Sequence, residues 1–109
     1  MIGLLMTIAA ADVGQAQAVA LADYQACVTS KTQQFRRSDL SGDKPEIIIY
    51  AAEYTCSSER AELIEKTKMF VHARHPDLTL GSLGKVTALF VEGKDSELEQ
   101  QLVAELGER

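Results

Sequence analysis

Two cysteines occur in the 109 residues, Cys27 within YQACVTSK and Cys56 within AEYTCSSERA. Each stands on the apolar seam of a segment with helical periodicity, and that placement constrains the fold more than any other feature. Over residues 21–37, Leu21, Tyr24, Cys27, Val28 and Phe35 recur at the helical period of about 3.6 residues. Lys31, Gln33, Gln34, Arg36 and Arg37 form the wet side. SDLSGDKP, residues 38–45, ends the pattern with Ser, Asp, Gly and Pro. A second helix is predicted from there, capped by Asp43 or Lys44, with Pro45 and Glu46 in its first turn. It is expected to reach about Arg74, because Pro76 restricts His75 against helical backbone. Its length is then roughly thirty residues, about 45 Å, and its seam is Ile49, Ala52, Cys56, Leu63 and Phe70.

An antiparallel hairpin of these two helices sets the sulfurs level, since each cysteine lies about eleven residues from the connection. Only one intramolecular pairing exists. The predicted fold is therefore all-α: a Cys27–Cys56 disulfide-linked antiparallel helical hairpin, plus one or two short C-terminal helices. Tyr24 and Tyr54 stand beside the cysteines and are expected to cover the bridge. Glu62 and Lys66, four residues apart in the favourable order, are predicted to pair on an exposed face. Glu59, Glu62 and Glu65 read as a solvated helix side.

The first residues differ from the rest. Ile2 to Ala11 is an uncharged, mostly apolar run, and two Ala-x-Ala patterns follow, Ala16-Gln17-Ala18 and Ala20-Leu21-Ala22. This is the layout of a cleavable signal peptide, an apolar core followed by small residues. Its one departure is the absence of Lys or Arg from the opening MIG. Residues 1–22 are expected to be a leader, cleaved after Ala18 or Ala22, and 23–109 a single small domain. Asp12 cuts the apolar run short of the roughly 20 residues that span a bilayer, so no membrane span is expected after cleavage. The expected location is periplasmic or secreted, where two thiols oxidise.

Toward the C-terminus, SELEQQLVAEL opens with Ser96, carries Glu99 three residues on, and repeats Leu98, Leu102 and Leu106. That is a capping box followed by a helix, with Gly107 as its stop. Residues 83–92 fit a short helix and also a strand; helix is favoured because a lone strand finds no ladder partner.

A net charge of −5 and a pI near 4.9 argue against nucleic acid, which calls for a basic stripe. They argue equally against an anionic membrane surface. No catalytic constellation stands out: Ser57 and Ser58 have no nearby histidine to act as base. No cofactor motif is found, and the glycines form no phosphate loop. His72 and His75 are the only histidines, three residues apart, and are weak metal-ligand candidates. Residues 47–50, Ile47, Ile48, Ile49 and Tyr50, place large apolar groups on every side of one helical turn. Either the 78–91 segment covers them or another molecule does. Three functions are carried: an exported protein-interaction module (adaptor, inhibitor or chaperone-like) with a protein partner or a second copy of the chain; a binder of a small apolar ligand or metal; and a thiol redox protein using Cys27 and Cys56.

Overall fold

The structure, a computed structural model, describes residues 2–37, 42 and 44–107, with backbone alone for 2–11. Four helices follow one another: α1 (Ile2–Arg37), α2 (Pro45–Thr55), α3 (Ser57–Arg74) and α4 (Leu80–Gly107). No strand occurs among the described residues, and the fold is all-α as predicted. Cys27 of α1 and Cys56 between α2 and α3 are bonded, with their Cα atoms 6.1 Å apart. Much of the connection, with Asp43, lies outside the described residues. Lys44 precedes α2 without a side-chain cap, and Pro45 starts the helix.

The first helix begins at Ile2 rather than near Leu21. The Ala-rich stretch from 9 to 22 has high helical propensity, and nothing in it forces a break. Gly14 faces the Phe70 ring of α3: a Cβ there would lie 3.3 Å from Phe70 Cε2. Ala20 is 5% exposed and belongs to the core.

The long second helix expected over 45–74 is interrupted at one residue. Cys56 has φ −94° and ψ 26°, well away from helical backbone. Hydrogen bonding continues across it: its N–H donates to the Ala52 and Glu53 carbonyls, and its own carbonyl accepts from Arg60 N–H at 3.0 Å. The local cause is readable. Tyr54, Thr55, Cys56, Ser57 and Ser58 are all modest helix formers. The Thr55 hydroxyl also donates to the Ala51 carbonyl at 2.9 Å, a back-bond that bends helices.

Residues 83–92 are helical, and they join the C-terminal segment in one long α4. Ser96 therefore caps nothing; it lies mid-helix, where its Oγ accepts from Gln100 at 3.5 Å. A capping box is a local signal, and helix propagates through it when both flanks are already helical. The actual start is Thr79, whose Oγ1 accepts from Ser82 N–H at 3.1 Å.

The bent α2–α3 pair is the centre of the molecule. α1 and α4 both pack chiefly on it rather than on each other. The core gathers Tyr24 and Val28 from α1, Ile49, Ala52, Cys56 and Leu63 from the centre, and Val91, Leu98 and Leu102 from α4. Glu62 and Lys66 pair at 3.5 Å, as the spacing predicts.

The disulfide closes a separation of 29 residues, which the chain-entropy relation converts to about 3.6 kcal/mol. Urea unfolding with and without reductant is expected to show a loss of that order, with Cys27→Ser/Cys56→Ser matching the reduced protein.

Candidate functional site

One turn before Cys27 and one turn after Cys56, a polar cross-tie joins α1, α3 and α4. The Tyr24 hydroxyl donates to Asp95 Oδ1 at 2.6 Å. Arg60 Nε and Nη2 donate to Asp95 Oδ2 at 3.1 and 2.7 Å. Burial, then the bond to Asp95, pushes the Tyr24 phenol well above its ordinary range. The bond to Asp95 also raises the Arg60 guanidinium. The phenol is thus neutral at every physiological pH. Tyr24 is buried at this level, whereas Tyr54 is 78% exposed and does not cover the bridge.

Cys27, Cys56 and Glu59 bring ligand-type atoms within 4.8 Å of one another. The set does not suit a metal, because disulfide sulfurs offer no thiolate. Glu59 is not on a solvated side as expected: its Oε2 is buried without a partner. His72 and His75 are exposed at the C-terminal end of α3, and His75 N–H donates to the Val71 carbonyl at 2.8 Å. They stand some 16 residues from Cys56, roughly 24 Å along a helix, and share no site with it.

The apolar turn of α2 divides. Ile48 and Ile49 are buried, while Ile47 is 49% and Tyr50 70% exposed. The 78–91 segment does not cover them. Instead residues 96–104 of α4 lie beside α2 and leave a groove between the two helices. Two adjoining hollows of about 560 and 520 Å³ share Tyr50, Glu53 and Glu99. Ile49 and Val103 line the first, and Tyr54 and Ile64 the second. The Arg60–Asp95 pair closes one end.

Glu53 and Glu99 meet within the groove, where both line the two hollows. Burial first, then the close approach of Glu99 and the charge of Asp95, raise Glu53 from the ordinary 4.5 to about 8; Arg60 opposes the shift. Ser57 and Ser96 also line the hollows, with no histidine at hand for nucleophilic chemistry.

Sequence reasoning placed Cys27 and Cys56 together and marked Ile47–Tyr50. It missed Tyr24–Asp95–Arg60 and Glu53–Glu99. Their partners are 71 and 35 residues apart in the first case, and no local spacing reports such pairs. Comparisons with protein-family models, with curated proteins and with solved structures find no match.

Asp95→Ala is expected to destabilise the protein by about 2 kcal/mol in urea unfolding, because Arg60 and the buried Tyr24 hydroxyl lose their acceptor. Tyr24→Phe is expected to cost less, and the effects of the two changes should not add.

Glu53 binds its proton more tightly folded than unfolded. Its contribution is complete below about pH 4.5 and lost as pH rises through about 8. The melting temperature of wild type is expected to fall across that window, and Glu53→Gln to flatten the fall. An unchanged slope in the variant would show that Glu53 does not carry the pH dependence.

Proposed function

We propose that the protein is an exported, non-catalytic interaction module that docks another protein along the α2/α4 groove. The observation that carries this reading is the ridge of Ile47, Tyr50 and Tyr54, at helical spacing, exposed above a groove with an apolar lining. Tyrosine beside a hollow is a typical anchor of protein interfaces. Monomeric domains rarely leave such a ridge uncovered without a use.

Export rests on two further features. The disulfide persists in an oxidising compartment, and the N-terminal residues have the layout of a leader. The burial of Ala20 favours cleavage after Ala18 over cleavage after Ala22, because the first keeps this side chain in the core. Among the described residues no helix is long and apolar enough to cross a membrane. The first hollow has the size of a small-ligand site. Its open form and its carboxyl groups suit a protein surface better. The redox reading is weaker still, because Cys56 is fully buried.

The test uses C-terminally tagged protein recovered from a periplasmic fraction. Its mass is expected to place the mature N-terminus at Val19. A partner retained by wild type is expected to be lost with Tyr50→Ala/Tyr54→Ala, two exposed positions whose truncation leaves the melting temperature nearly unchanged. Ile48→Glu is unsuitable as a control, since that side chain is core. Equal recovery by wild type and the tyrosine variant would overturn the docking face.

A further inference from the structure

The groove is one-sided in charge. α2 carries Glu46 and Glu53 and no basic residue. Of the α4 residues that line it, Asp95 and Glu99 are acidic and none is basic. The cation that does reach the groove, Arg60, has two donors committed to Asp95. Glu53 and Glu99 face each other across the junction of the two hollows with no cation bonded to them among the described residues.

We infer that the occupant of the α2/α4 groove is a basic amphipathic helix of another protein, its apolar side on Ile49, Tyr50, Tyr54 and Val103 and a Lys or Arg between Glu53 and Glu99. This deepens the interaction reading and rests on it. The shape of the site supports a helix. From Ile49 to Ile64 the central helices run roughly 22 Å, the length of about four helical turns. No strand edge exists among the described residues to extend by β-pairing, and an apolar groove between two helices is the setting of the helix-in-groove mode. Glu46 and Glu53 are seven residues apart on one face of α2, so cations two turns apart on the partner meet both.

The chemistry supports a cation. Glu53 and Glu99 line the same two hollows, and burial together with the approach of Glu99 makes the bare charge of Glu53 unfavourable there. An ammonium or guanidinium group offsets that charge and supplies several donors to the four oxygens. Its entry expels the Glu53 proton, so binding is expected to tighten as pH rises from 6 to 9. The groups facing this position are Glu99 and Asp95 of α4, Arg60 of α3 and the Tyr24 phenol of α1. A second copy of the chain is the weaker occupant, because it brings the same −5 charge and the same acidic walls.

The experiment titrates full-length, oxidised, isotope-labelled protein with an 18-residue amidated Leu/Lys peptide of helical period, and with Leu/Gln and Leu/Glu peptides of the same apolar pattern. The Leu/Lys peptide is expected to shift the amides of Tyr50, Glu53, Tyr54, Glu99 and Val103. Added salt is expected to weaken it, and Glu53→Gln/Glu99→Gln to weaken it about tenfold. Glu46→Gln, at an exposed site, is the second variant, with a smaller loss in the same direction. The amide spectrum of each variant checks that it is folded. Leu/Gln binding as tightly in the same groove would overturn the basic partner and leave the docking face standing. Shifts away from the groove, or no shifts with any peptide, would overturn the inference, while the tyrosine-variant recovery still decides the docking face separately.

Discussion

The bond between Cys27 and Cys56 is the constraint from which the rest of the architecture follows. It joins the middle of α1 to the point where α2 ends and α3 begins. A small domain has limited apolar area to bury, so a covalent tie contributes a large share of its net stability. The tie also fixes register: with the sulfurs level, the part of α1 after Cys27 lies along α2 and the longer part before it along α3. Asp95 repeats the arrangement non-covalently for α4, reaching Tyr24 and Arg60 within a turn of the bridge. Four helical segments are thereby held at one level, by one bond and one buried carboxylate.

The bend at Cys56 connects this constraint to the surface. A straight helix over 45–74 would present one continuous seam to one neighbour. The weak helix formers around Cys56, and the Thr55 back-bond, let the two halves turn at the tie. α4 then follows α3 and reaches α2 only with its last turns, so a groove remains where α2 and α4 fail to close. The exposed tyrosines and the paired carboxyl groups both lie there. The bend thus leaves this groove and its exposed tyrosines uncovered. Glu53 sits on that face with its proton held more tightly than that of an ordinary surface acid, by burial and by the approach of Glu99. Its electrostatics weaken the fold as pH rises.

The primary structure by itself determined the local and the covalent. Helical period placed α1 and α2–α3; the equal distances of Cys27 and Cys56 from the turn paired them; and a run of four large apolar residues at 47–50 marked α2 as under-covered. These are short-range signals, written within a few residues of where they act. The same locality misled at Ser96, where a capping box lies inside a helix, and at Cys56, where an unbroken seam hid a bend. Residues 83–92 are helix, as the sequence favours, but only packing on α3 joins them to the C-terminal segment in one α4. What only the tertiary structure decided was which chain-distant groups meet: Tyr24 and Arg60 on Asp95, Glu53 on Glu99, and an open groove beside Tyr50 instead of a lid over it. Such meetings depend on how three rods pack against each other, and side-chain order along any one rod carries no record of that.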